Sequence, residues 1–463
     1  MNRALALIVG ATIASGGCGD NFAARGATPE QLLAKLRALP GVTVDEAPTS
    51  QVGYTYYVLH VTQLIDHQDP SLGTFQQEVS LLHTSELAPV PMIVLTSGYA
   101  DYYADKPHEL TTLLGANQVS IEHRYFGSSR PAPADWTKLT IAQAAADEHV
   151  IIAALRTIYE GAFITTGGSK GGMTAMFHRR FYPDDVEATV PYVAPISFGA
   201  PDRRYRTFLD TVGRIDCRQA VRDAATEMLS NRRDAMRTRA AWQAGHSYTR
   251  VALDPAVEAA IVSLEWTFWQ YFGSDQCSSV PPVTASDDVL FGFLDRVSPV
   301  ADSSDAKLAQ FEAYYYQAHA ELGYPDGGAE YLAPFLRFTD DDYLREMPTA
   351  EPAYDSAVMR DIDEYVEHRG AHLLFIYGEW DPWTAGRFSL GDASDAVMLF
   401  QPQGTHGSRI AGLAMSDRDV ALARLQAWTG VPPMLSRLHT VVSEVAAAPR
   451  VPPVMLRALR ARK

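Results

Sequence analysis

The chain has 463 residues, 47% of them apolar and 20% charged, so it can bury a large core and disorder is not its general character. Its formal charge of −16 argues against a nucleic-acid or anionic-membrane surface, because each phosphate contact needs a Lys or Arg and the balance runs the other way. Acidity favours solubility and cationic partners.

Met1-Asn2-Arg3, an apolar run from Ala4 to Ala14, and then Ser15-Gly16-Gly17-Cys18 follow the charge, greasy core and small-residue order of a secretory signal. The run is too short to span a membrane as a helix. A Cys directly after small residues resembles the bacterial lipoprotein cleavage box, in which Cys18 becomes the lipidated first residue of the mature chain. Ser15 stands where Leu is usual, so plain secretion remains the alternative. A buried N-terminal helix fits less well, because the stretch has no amphipathic period. The expected destination is the secreted, periplasmic or cell-surface space, with residues 1–18 as the signal.

From Thr28 to Ala38, Thr-Pro-Glu followed by Leu32, Leu33 and Leu36 predicts a capped helix with Pro in its first turn. Strand-like runs follow at Tyr54 to Leu64, Phe75 to Leu82, Met92 to Thr96 and Gln118 to Ile121, the first two reading as a hairpin. Ile141 to Ile158 has helical spacing, Phe163 to Thr166 is a short strand, Lys170 to Phe181 is helical, and Thr189 to Ala194 is another strand. From Pro201 to Arg369 the composition turns to Ala, Arg, Glu and aromatics at helical spacing, which predicts a helical cap inserted into the core. His372 to Tyr377 and Ala396 to Phe400 are strand-like again, and Asp417 to Trp428 is a helix. The expectation is therefore an α/β protein: an eight-stranded, mostly parallel sheet built from residues 28–200 and 370–445, with the helical cap of 201–369 between the sixth and seventh strands. Residues 446–463 read as a loose basic tail.

The strongest local signal is Gly167-Gly168-Ser169-Lys170-Gly171-Gly172. It fits G-x-S-x-G and falls between a short strand and a helix, as a nucleophile elbow requires. The chemistry needs glycine because the strand must turn sharply into the helix while Ser169 keeps a strained backbone and an exposed hydroxyl. A late acid and a later His complete the order that α/β-hydrolases present. Asp381, in Gly378-Glu379-Trp380-Asp381-Pro382-Trp383, comes just after the strand ending at Tyr377. His406, in Gly404-Thr405-His406-Gly407, comes just after the strand ending at Phe400. Both positions lie at carboxyl ends of strands, where open α/β sheets build their sites. The rival readings are Asp381 as a turn cap before Pro382, with Glu379 the next candidate acid, and His406 as an ordinary loop histidine. His368, His372 and His439 do not have the required place. Ser169 as nucleophile needs two oxyanion donors, and the candidates are the backbone N–H groups of Lys170 and of Tyr99 in Ser97-Gly98-Tyr99. The Lys170 side chain reads as solvent-facing or salt-bridged and not catalytic.

With these residues in place, the chain resembles the secreted prolyl tri- and tetrapeptidyl aminopeptidases of actinobacteria and, more remotely, the lysosomal prolyl carboxypeptidases. The likeness covers most of the mature chain. It is carried by Gly168-Ser169-Lys170-Gly171-Gly172-Met173, Glu122-His123-Arg124-Tyr125-Phe126-Gly127-Ser128-Ser129-Arg130-Pro131, Leu139-Thr140-Ile141-Ala142-Gln143-Ala144 and Trp380-Asp381-Pro382-Trp383. The resemblance implies an α/β-hydrolase core under a helical cap, triad roles for Ser169, Asp381 and His406, and release of short proline-ended peptides from a free N-terminus. It further implies an acidic cap residue for the substrate ammonium. Glu265 is the candidate, with Trp266 and Trp269 as an apolar wall for proline, against the plainer reading of a core helix with one Glu. Glu122, His123 and Arg124 suit a structural ion pair better than chemistry.

After Cys18 only Cys217 and Cys277 remain; an exported chain can pair them, and two buried free thiols are the alternative. No metal or cofactor motif is present. The expected partner is a peptide substrate, with no nucleic acid, no obligate protein partner and a lipid anchor only through Cys18. Two other functions stay open: a carboxylesterase or lipase on the same core, and a catalytically dead surface binding protein.

Overall fold

The computed structural model describes residues 29–84, 89–339, 342 and 348–437; Cys18, with its proposed cleavage box, and the basic tail of 446–463 lie outside them. A helix at Pro29–Arg37 turns Leu32 and Leu36, one helical turn apart, onto the sheet face that also holds Tyr57, Leu59 and Val79. Nine strands then form one sheet: β1 (Val42–Ala47), β2 (Tyr54–Leu64), β3 (Thr74–Thr84), β4 (Met92–Thr96), β5 (Asn117–Ile121), β6 (Phe163–Gly168), β7 (Ala188–Tyr192), β8 (Ala371–Gly378) and β9 (Ser394–Gln401). Their order is β1-β2-β3-β5-β4-β6-β7-β8-β9. β1 to β3 pair antiparallel, β3 joins β5 antiparallel, and every pairing from β5 to β9 is parallel.

Burial explains the strand sequences. β4, β5 and β7 are buried at every position, and so read as unbroken runs, because helices cover both faces of the parallel half. β2 instead alternates, burying Tyr57, Leu59, Val61 and Gln63. The sheet has one strand more than the eight expected. The extra one is β1, at the edge, where Val44 is the one buried residue and the charged Asp45 and Glu46 are exposed. An edge strand with one buried residue leaves no alternation to read.

Between β7 and β8 the chain is mainly helical. Its helices include Arg206–Thr211, Ile215–Ser230, Arg233–Trp242, Leu253–Val262, Leu264–Tyr271, Asp287–Val297 and Asp305–Gln317. The last helix before β8, Ser356–Arg369, packs against the helix Lys170–Phe181 and is tied to it by Arg180 and Asp361 at 2.8 Å. One continuous apolar cluster joins Met173, Met176 and Phe177 to Trp266, Phe268 and Phe311, so these helices and the sheet share a core. A parallel sheet covered on both faces, a strand-turn-helix after β6 and a helical insertion after β7 together make an α/β-hydrolase.

Candidate active site

Ser169 sits between β6 and the helix Lys170–Phe181 with φ +56° and ψ −125°, a backbone conformation that an L side chain rarely adopts. Two backbone bonds hold it there: its N–H donates to Tyr192 O (2.8 Å), and its own carbonyl accepts from Met173 N (3.0 Å). The turn is possible because of what lies beside it. A Cβ on Gly167 would come within 2.5 Å of Gly171 C, and one on Gly171 within 2.5 Å of Thr96 O. A serine at a helix N-cap ordinarily spends its hydroxyl on the helix's first N–H groups, and Ser169 makes no such bond. Its Oγ is left for chemistry.

Asp381 and His406 follow the next parallel strands. Asp381 is fully buried and its two oxygens have separate tasks: Oδ1 accepts from Trp383 N (3.2 Å), and Oδ2 takes the Nδ1–H of His406 at 2.7 Å. The turn cap and the histidine partner are therefore the same residue. A carboxylate that can only accept fixes the proton on Nδ1, which leaves Nε2 as the base. Glu379, the other candidate acid, is exposed and accepts from Gln403 N. Trp380 N donates to Gly404 O (2.8 Å), locking the acid loop to the histidine loop. Neither Ser169 Oγ nor His406 Nε2 forms a hydrogen bond among the described residues, so the serine-histidine contact is not closed in this structure. Such contacts are commonly long before substrate binds and tighten in the complex.

The helix Leu264–Tyr271 lies against the histidine loop. Gln270 O accepts the His406 backbone N–H at 2.8 Å, and the Tyr271 and Trp383 rings stand 6.0 Å and 6.3 Å from the imidazole. Sequence reasoning missed Gln270, since a main-chain acceptor has no residue signature; the Trp383 ring was in view only as part of a motif. Trp266 packs edge-on to Trp383 at 5.3 Å and gives its Nε1–H to Gln270 Oε1; Trp269 is edge-on to Trp380 at 6.2 Å. Both are fully buried, as part of the wall behind the triad. Glu265 is 2% exposed and accepts from Arg222 Nε at 2.7 Å. Burial pushes its carboxyl up to about 7 against the pull of Arg222. Arg222 also bonds Asp210 at 3.0 Å, so one guanidinium is shared by two carboxylates of the insertion.

Near the nucleophile, the Lys170 backbone N–H opens the helix and has no intrahelical acceptor. The Tyr99 N–H donates to Ser97 Oγ at 3.3 Å, and the Tyr99 ring is buried edge-on to Phe126, Phe311 and Tyr314. The Lys170 side chain is not solvent-facing: it is 2% exposed and donates to the Gly98 carbonyl. It lies among the apolar side chains behind the turn, a place that its residue type does not predict. Arg124 is ion-paired, as a structural residue, to Asp147 on the helix Ile141–Arg156, with bonds of 2.6 Å and 2.7 Å. Glu122 accepts from Ser129, and His123 from the same segment turns its Nδ1 to Arg124 O. Cys217 and Cys277 are bonded, with Cα atoms 5.4 Å apart, joining the helix Ile215–Ser230 to the turn after Leu264–Tyr271.

Residues 28–450 match the family described as PS-10 peptidase S37. The chain is 37% identical over 467 residues to the prolyl tri/tetrapeptidyl aminopeptidase of Streptomyces mobaraensis, covering 98% of this chain and 96% of that one. Over 187 residues it is 30% identical to the lysosomal Pro-X carboxypeptidase of Mus musculus, covering 35% of this chain and 37% of that one.

Proposed function

The chain belongs to the PS-10 peptidase S37 family and is a serine peptidase, and from that premise we propose that it releases short peptides, with proline at the cleavage site, from free N-termini. Ser169 Oγ attacks the carbonyl carbon of the proline, and the bond to the next residue's nitrogen breaks. His406 Nε2 takes the hydroxyl proton and returns it to the leaving amine, and Asp381 keeps the imidazole in that tautomer and steadies its positive form. The N–H groups of Lys170 and Tyr99 receive the oxyanion. Water then releases the peptide from the serine ester by the same steps in reverse. The observation that carries this reading is the 2.7 Å bond from His406 to the buried Asp381, on the sheet rim that also bears the strained Ser169 turn.

We also propose that the enzyme works outside the cytoplasm. The signal-like order of residues 1–18 supports this, and so does the Cys217–Cys277 bond, since such bonds persist in oxidising compartments. A lipid on Cys18 would keep it at a membrane surface. Incubation with an Ala-Ala-Pro reporter and its N-acetylated form tests the activity: cleavage of the free-amine reporter alone is expected. Cleavage of neither, with rapid turnover of nitrophenyl esters, would overturn the peptide assignment in favour of an esterase.

A further inference from the structure

The triad does not account for a long cationic side chain buried directly behind the nucleophile. Lys170 Nζ has one hydrogen-bond acceptor among the described residues, the Gly98 carbonyl at 2.5 Å, and lies 5.3 Å and 5.4 Å from the centres of the Tyr99 and Phe126 rings. Two titratable groups face it from neighbouring elements. Glu148, on the helix Ile141–Arg156, attracts it without a hydrogen bond and leaves its own Oε2 unpartnered. His123, after β5, is held well below the usual imidazole range by burial and then by Lys170 itself, against the hydrogen bond to the Arg124 carbonyl. Burial, opposed by the charge of Glu148, brings the Lys170 amine down to about 7, so seating it here has a cost. The hydrogen bond it gives there goes to the loop after β4.

The loop is the one that carries the second oxyanion donor. Gly98 C=O and Tyr99 N–H belong to one planar trans peptide, so they point to opposite sides. Drawing the carbonyl inward to Lys170 turns the N–H away from the amine, where its one partner is Ser97 Oγ at a long 3.3 Å, a bond that an incoming oxyanion would replace. Gly98 has φ +71°, and a Cβ there would meet Gly171 N at 2.7 Å and Lys170 C at 2.8 Å, so glycine is what lets this loop lie so close to the start of the helix. We propose that Lys170 is the positioning residue of the oxyanion site, its buried side chain aiming the Tyr99 N–H by holding the Gly98 carbonyl. One residue thus supplies the first donor with its backbone and sets the second with its side chain. The inference rests on the reading that these two N–H groups receive the oxyanion.

The test is Lys170→Met, which keeps the volume and removes the donor. Four quantities are measured: kcat and KM on the Ala-Ala-Pro reporter, affinity for an Ala-Ala-Pro boronate that forms a tetrahedral adduct on serine, and affinity for the product Ala-Ala-Pro. Losing an oxyanion donor costs about 100- to 1000-fold, so losing its aim is expected to lower kcat and boronate affinity together by about 10- to 100-fold. KM and product affinity should stay within about twofold, because ground-state binding does not use the donor. Unchanged kcat and boronate affinity, or equal losses of boronate and product affinity, would overturn the proposal. If the methionine variant does not fold, Lys170→Gln, whose shorter neutral amide weakens the tie, must still show a parallel loss of kcat and boronate affinity. A wild-type enzyme that neither cleaves the reporter nor binds the boronate sinks the oxyanion reading first, and this inference with it.

Discussion

The sheet rim and the helical insertion are built in different ways. The rim is set by backbone contacts between neighbouring strands: Ser169 N to Tyr192 O, Trp380 N to Gly404 O, and glycines that admit close approach. The insertion is set by side chains far apart in sequence, among them Arg233 with Glu258 at 2.7 Å, Arg222 with Glu265 at 2.7 Å, and the Cys217–Cys277 bond. The helix Leu264–Tyr271 touches both, lending Gln270 O to the histidine loop. The rim is thus fixed by main-chain bonds and the insertion by side-chain pairs.

Substitutions on the rim should therefore act on turnover alone. Ser169→Ala is expected to lower kcat by about a millionfold and Asp381→Asn by about ten-thousandfold, as loss of nucleophile and of the imidazole tautomer do elsewhere. KM on the Ala-Ala-Pro reporter should barely move. A loss below about tenfold for Asp381→Asn would reduce this residue to its bond with Trp383 N and leave His406 without its orienting acid.

The insertion should answer differently. Replacing both Cys217 and Cys277 by Ser opens a link between residues 60 apart in sequence, worth about 2–4 kcal/mol of stability. Denaturant unfolding is expected to show that loss, and kinetics a rise in KM with a kcat change of no more than about tenfold, since no triad bond is touched. A fall in kcat as deep as that of Asp381→Asn would show that the rim depends on the insertion for its geometry, and the contrast between the two would fail.

The same contrast separates what the residues reveal from what they conceal. β4 and β7 are recognisable because interior parallel strands are apolar throughout, and the Ser169 turn because glycine has to recur at fixed spacing. Asp381 and His406 are recognisable because each follows a late strand. β1 is hidden, because Val44 is its one buried position. Lys170 is misread, because a lysine beside a surface turn is ordinarily solvated, and nothing local announces the Gly98 carbonyl or the Tyr99 and Phe126 rings around it. Glu265 is legible as an acid on an aromatic helix but not as the partner of Arg222, which lies 43 residues earlier. Partners at such separations follow from tertiary packing, which no local pattern encodes.

Glu265 gives the finest division between the two regions, because a substrate contact and a structural ion pair predict different measurements. Its folded-state pKa, about 7, lies above the ordinary value of 4.5, with burial as the main cause and Arg222 opposing. The sign follows from proton counting. Below pH 4.5 the carboxyl is protonated whether the chain is folded or not, and stability does not depend on it. Between there and about 7 the unfolded chain releases the proton first, so stability falls as pH rises; above about 7 both states are ionised and the cost is constant. Glu265→Gln removes that slope. Denaturant unfolding at pH 5 and at pH 8 should show the wild type losing about 1–3 kcal/mol more than the variant over this interval, with KM on the free-amine reporter unchanged. If instead KM rises tenfold or more while the two stability profiles run parallel, the carboxylate is reading the substrate ammonium, and the boundary between a chemical rim and a structural insertion has to be redrawn through this helix.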